Sequence, residues 1–220
     1  MLKTERMDRV RAALRAQGLT QMIVCDPKSV WYLTGVAVEP YERLLALYLP
    51  TEGEPVLFLN RLFNVPEPPC RTVWHTDTDK PVAQIAEVVD AGKPLGIDKE
   101  WPAKFLIPLM ETHPGMQVVL SSDCVDDCRA CKDAEEQTLM REASRINDAV
   151  NEAAKHYIKA GMTEREVAEF IDAQFRAHGC EGPSFTTIVS FGANAADPHH
   201  EPDDTVLKEG DCVLFDMGCV

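Results

Sequence analysis

The sequence predicts an α/β domain followed by an α+β domain, on three observations. Helical and strand-like segments alternate in the first half. In the second half two amphipathic helices come first and strands follow. The 220 residues are 45% apolar and 26% charged, a globular composition on a chain long enough to bury a core. The expected boundaries are a first domain over 1–122, a joint over 123–132 and a second domain over 133–220.

Taken in order, Thr4 can cap a helix whose apolar positions Met7, Val10 and Leu14 recur at helical spacing, with Gly18 suited to its end. Met22 to Cys25 reads as a short buried strand closed by Asp26-Pro27. Leu44 to Leu49 and Val56 to Leu59 flank a Pro- and Gly-containing turn, which predicts a hairpin. Pro81 to Val89 and Trp101 to Met110 read as helices, and Pro94 to Ile97 and Val118 to Leu120 as strands. Asp133 with Glu136 makes a capping-box pattern ahead of a long helix, whose Leu139, Ala143, Ile146, Val150, Ala154 and Tyr157 line one face and which Gly161 stops. Thr163 with Glu166 opens another, with Val167, Phe170, Ile171 and Phe175 inward and Gly179 at its end. Strands are expected over Phe185 to Phe191 and Asp211 to Cys219, joined by a polar loop.

Acidic residues outnumber basic ones 36 to 22, for a net charge of −14, so there is no basic excess to displace counterions from a nucleic acid. No apolar run reaches the roughly 18 residues of a membrane helix. The N-terminus, MLKTERMDRV, is charged and lacks an apolar signal core. These features predict a cytoplasmic protein with eight reduced thiols and neither a membrane nor a nucleic acid as partner.

Three constellations could carry chemistry. Cys124, Cys128 and Cys131 have the spacing of an iron–sulfur cluster motif, but the same spacing is one helical face, and nearby Asp126, Asp127 and Asp133 would repel an anionic cluster, which favours packing. His199 and His200, with Glu201, Asp203 and Asp204, could hold a metal, or be a solvated loop. Asp216 interrupts the apolar run Cys212 to Cys219. Cys212, Leu214, Asp216 and Gly218 fall on one strand face, and Val213, Phe215, Met217 and Cys219 on the other. A strand apolar on both faces is expected to be buried on both, where a carboxylate needs a cation or hydrogen-bond donors. Asp216 is thus either a functional residue or a structural one held by hydrogen bonds. No Gly-rich phosphate loop, G-x-S-x-G elbow or H-E-x-x-H motif occurs.

Ile188 to Asn194, then Pro198-His199, then Glu209 to Gly218 resemble the first metal-site region of the pita-bread metallopeptidases, closest to the Xaa-Pro dipeptidase (prolidase) and Xaa-Pro aminopeptidase branch. Asp26 to Gly35, with its Tyr-Leu-Thr-Gly, resembles the N-terminal domain of that family, and Arg129 to Glu136 the joint that opens its catalytic domain. The resemblance implies a creatinase/prolidase-type α/β domain followed by an incomplete α+β pita-bread domain. It also implies a metal-activated water acting at the bond before proline, two divalent ions (manganese or cobalt) and a homodimer. By carry-over Asp216 looks like the first of five metal ligands and His199 like the histidine that contacts substrate. The second Asp, the ligand His and both ligand Glu of the family have no counterpart in these residues, so the 220 residues are expected to be truncated and neither to hold a metal pair nor to hydrolyse peptides. Two other readings are a creatinase-like hydrolase that does not use metals and a non-catalytic peptidase-like module binding a basic partner.

Overall fold

A computed structural model describes residues 2–220, and the chain divides into two compact units, Met1–Lys132 and Asp133–Val220. In the first, α1 (Thr4–Ala16) buries Met7, Val10 and Leu14 as their spacing requires. β1 (Gln21–Val24) follows, fully buried. The next element was not foreseen: Pro27–Thr34 is a helix, α2. Asp26 is its N-cap, taking the Lys28 and Ser29 N–H groups, Pro27 supplies a preset first turn, and Gly35 ends it at φ 75°, where a side chain would be strained. The segment that reads as the close of a strand is the start of a helix.

The hairpin forms as expected from β2 (Ala46–Pro50) and β3 (Val56–Asn60), antiparallel with Tyr48 opposite Val56. β4 (Arg71–His75), also unforeseen, runs parallel to β3 at the sheet edge. α3 (Pro81–Ala86), β5 (Leu95–Ile97), α4 (Ala103–Thr112), β6 (Val118–Leu120) and α5 (Asp123–Ala130) complete the unit. The six strands lie in the order β4-β3-β2-β1-β5-β6.

Alternation along these strands splits the core in two. Met22, Val24, Leu47, Leu49, Leu57 and Leu59 pack on one face with Met7, Val10 and Leu14 of α1, Leu33 of α2 and Cys124 of α5. Ile23, Ala46, Tyr48 and Phe58 pack on the other with Ile85 of α3 and Leu109 of α4. A central sheet covered on both faces is the α/β layering expected of the first half. The expected joint, 123–132, is instead part of this unit. Cys124, Val125 and Cys128 of α5 lie in its core, and Arg129 of α5 reaches Asp26 Oδ2 at 3.1 Å and Ser29 Oγ at 3.0 Å. Burial pushes the Cys124 thiol up to about 11, and Cys131 is exposed. All eight cysteines are free, and Cys124 and Cys128 serve as packing residues.

The second unit opens with α6 (Ala134–Tyr157) and α7 (Glu164–Ala177), and both predicted capping boxes form, Asp133 with Glu136 and Thr163 with Glu166. The Tyr157 and Phe170 rings stack at 3.8 Å where the helices meet. Val150 and Ala154 of α6 face Val167, Ile171 and Phe175 of α7 in one cluster, but Leu139 and Ala143, expected on the inner face, are exposed. β7 (Ile188–Phe191) and β8 (Val213–Asp216) pair antiparallel, with Ile188 opposite Asp216 and Ser190 opposite Leu214. Among the described residues no helix is long and apolar enough to cross a membrane.

Candidate active site

The second unit brings two groups of polar residues together. One is the face of β8 that carries Asp216. Val213, Phe215, Met217 and Cys219 pack against the α6–α7 core, as strand alternation predicts, so Asp216 and Leu214 occupy the opposite face. That face is open at Asp216, and the expectation of burial on both sides is overturned there: Leu214 is half-buried and Asp216 exposed. The two-stranded sheet explains this, since the helices cover one side of it and, among the described residues, no third strand flanks β8. The desolvation argument for Asp216 falls with its burial. Ser190, on the same face one register step away, buries its hydroxyl with no hydrogen-bond partner among the described residues.

The second group centres on Glu164, which no motif or spacing singles out. It is the first residue of α7 and its side chain is fully buried. Its Oε1 accepts from the Phe191 N–H at 2.7 Å and from Asn194 Nδ2 at 3.0 Å. Its Oε2 accepts from His200 Nε2 at 2.7 Å and from the Asp203 N–H at 3.1 Å. Because a carboxylate only accepts, the His200 proton facing it sits on Nε2. The hydrogen bond that His200 donates to Glu164 raises the His200 pKa above its usual value, against the pull of burial, and the charges of Glu164, Asp203 and Asp197 add to the rise. Asp203 is held below the usual carboxylate range by the Thr205 hydroxyl and N–H.

Of the expected polar cluster, His200 and Asp203 are thus brought together. Asp204 instead meets Arg165 at 3.2 Å, and Glu201 is exposed. His199 is exposed beside them, its N–H bonded to Asp197 Oδ1 at 3.0 Å. Glu164, His200 and Asp203 each offer one ligand atom within 4.8 Å of the others, a spacing a divalent ion could bridge.

Residues 6–131, more than half the chain, match the model of the creatinase/prolidase N-terminal domain. The chain belongs to the creatinase/prolidase family. Residues 138–220, which include His199 and Asp216, match metallopeptidase family M24, so this creatinase/prolidase chain couples the N-terminal domain to part of an M24 domain. Among curated relatives, an uncharacterized peptidase of Staphylococcus epidermidis is 29% identical over 96% of this chain and 61% of its own length. A putative dipeptidase of Bacillus subtilis is 29% identical over 98% of this chain and 62% of its own. Among solved structures, dipeptidase PepE from Mycobacterium ulcerans aligns with a TM-score of 0.88 at 29% identity, covering 98% of this chain and 60% of that one. A prolidase from Thermococcus sibiricus aligns with a TM-score of 0.88 at 28% identity, covering all of this chain and 62% of that one. The chain spans about three-fifths of the length of the relatives it matches.

The M24 family is metal-dependent, and the residues present can be weighed against a metal pair. Asp216 offers one exposed carboxylate, and the four acceptor positions of Glu164 are all filled by protein donors. Neither group on its own fits a dinuclear centre, which needs more ligands than this.

Proposed function

We propose that the chain serves a peptidase of the Xaa-Pro dipeptidase type, with Asp216 as its contribution to the metal site and His199 as its contribution to substrate. The observation that carries the reading is the placement of Asp216: it lies within the M24-matched residues, on the face of β8 turned away from the helices, where a carboxylate is free to take a cation. His199 lies in the same matched region, exposed, on a loop tied down on both sides. Metal-assisted hydrolysis uses a cation-activated water, and a proline peptide bond is a tertiary amide with no N–H to read, which suits a site that recognises shape and carbonyl oxygen. The substrate class is a dipeptide or short peptide with proline after the scissile bond, the metal is manganese or cobalt, and the setting is a cytoplasmic homodimer. The M24 match and the dipeptidase and prolidase relatives favour this over a creatinase-like hydrolase or a non-catalytic module.

Hydrolysis of Gly-Pro and Gly-Ala with added manganese tests the reading. With one ligand of the implied set, residues 1–220 alone are expected to stay near background, and turnover at the level of an intact prolidase would contradict the ligand assignment. In any form of the protein that does turn over, Asp216→Asn is expected to abolish Gly-Pro cleavage and His199→Ala to cut it by about a hundredfold or more. Cleavage that survives Asp216→Asn, or that shows no preference for proline, overturns the proposal.

A further inference from the structure

We propose that Glu164 is the positioning residue of the loop that carries His199, acting as a closed hydrogen-bonded latch and not as a metal ligand; the proposal rests on the reading of His199 as the substrate-facing histidine.

The geometry of the carboxylate supports a latch. Its two oxygens accept four hydrogen bonds, from Phe191 at the end of β7, Asn194 in the short 3-10 turn Gly192–Ala196, His200 and Asp203. An ionised carboxylate offers about four lone-pair positions, so none is left to a cation while the loop is in place. The four donors are spaced along the loop, two before His199 and two after it. One buried side chain therefore holds both flanks of the segment that carries His199.

The backbone of α7 completes the attachment. The first N–H groups of a helix have no partner within it, and here two are met by the returning flank of the same loop. Glu164 N–H donates to Thr205 O and Arg165 N–H to Asp203 O, both at 3.2 Å. Leu207 and Met162 pair through Leu207 N–H to Met162 O at 2.9 Å, with a β-bridge between Thr163 and Val206 beside them. Asn194 adds a cross-tie, giving its second amide proton to Thr205 Oγ1 at 3.2 Å. His200 turned inward to Glu164 leaves its neighbour His199 on the outside, between the tied flanks and directly beside the His200 tie. Burying a carboxylate is costly unless it is fully hydrogen-bonded, and this one is, which makes the loop position and the burial of Glu164 mutually dependent.

Replacing Glu164 with Gln keeps the shape but turns one acceptor oxygen into a donor, which then faces either Phe191 and Asn194 or His200 and Asp203, all of them donors. Hydrogen exchange of the chain, wild type against Glu164→Gln, reads the consequence without any turnover. The expected result is exchange about ten- to a hundredfold faster over residues 192–206, with α7 from Val167 onward and the first unit unchanged. Asn194→Ala, which removes one of the four donors and leaves the carboxylate, is expected to give a smaller rise over the same residues, and it decides the matter if Glu164→Gln does not fold. In a form of the protein that cleaves Xaa-Pro peptides, Glu164→Gln should lower kcat and leave KM nearly unchanged. Unchanged exchange over 192–206, or a rise spread evenly over α6, α7 and both strands, overturns the latch. A latch that holds in a form of the protein whose cleavage survives Asp216→Asn, or shows no preference for proline, leaves this inference intact and sinks the peptidase reading; a latch that fails beside normal Xaa-Pro cleavage does the reverse.

Discussion

Leu57-Phe58-Leu59 of β3 and Leu214-Phe215 of β8 are similar apolar strand segments, and they come to different ends. In the first unit every residue of β3 is buried, because α1, α2 and α5 cover one side of the sheet and α3 and α4 the other. In the second unit the same kind of residue is only half-buried, because α6 and α7 cover one side of two strands and the other side is covered at Ser190 but open at Asp216. A strand apolar on both faces states how much surface is available for burial and not what arrives to cover it. That distinction decides what can be said of Asp216. Its claim to function rests on its position in the M24-matched region and on an open face, and not on the cost of a buried charge.

The largest effect with which to probe this contrast is a single truncation made in both places. Phe58→Ala is expected to cost the first unit about 3–5 kcal/mol, the usual range for emptying a buried aromatic site. Phe215→Ala, from a half-buried position, should cost the second about 1–2 kcal/mol. The three tryptophans, Trp31, Trp74 and Trp101, all lie in the first unit, so urea unfolding followed by their fluorescence isolates it. Phe58→Ala should shift that transition strongly and Phe215→Ala should leave it in place. A loss from Phe215→Ala as large as that from Phe58→Ala, read for the second unit by exchange of its own amides, would mean that β8 is as well covered as β3.

A smaller effect compares the acidic anchors of the two units. Asp26 does for α2 and α5 what Glu164 does for the His199 loop. Burial disfavours its charged form, but the Ser29 hydroxyl, the Ser29 and Lys28 N–H groups and the Arg129 charge outweigh that and hold its carboxyl below the usual range. A carboxyl with a folded pKa below its unfolded value stabilises above the unfolded pKa and loses that contribution as pH falls toward the folded one. Unfolding read by tryptophan fluorescence at about pH 5 and about pH 3 should therefore show a steeper acid loss in wild type than in Asp26→Asn. Equal slopes would show that Asp26 titrates alike in the folded and unfolded chain.

Much of the fold was legible in the sequence because it follows from local signals. The helical spacing of Met7, Val10 and Leu14, the hairpin turn before Val56 and the two capping boxes all form where their residues place them. α2 carries a signal too, an Asp N-cap followed by Pro at the first helical position, but an ambiguous one, because the same dipeptide also ends strands. β4 had little to show: an edge strand, exposed to half-buried over most of its length, has no strong apolar alternation. The Glu164 latch was hidden for a different reason. An acidic residue in the first turn of a helix is ordinary as a partner for the helix dipole, and only the chain folding back from residue 191 onward makes it the most buried charge in its unit. The histidine pair was visible, but which ring turns inward is decided by that same long-range contact.

On the proposed reading a cation meets this chain at Asp216 and not at the Glu164–His200–Asp203 cluster. Paramagnetic broadening by added manganese, read residue by residue in an NMR spectrum of the chain, tests it directly. Broadening is expected to centre on residues 214–218 and to disappear in Asp216→Asn, with Glu164, His200 and Asp203 spared. Broadening centred on those three residues, or unaffected by Asp216→Asn, would contradict it.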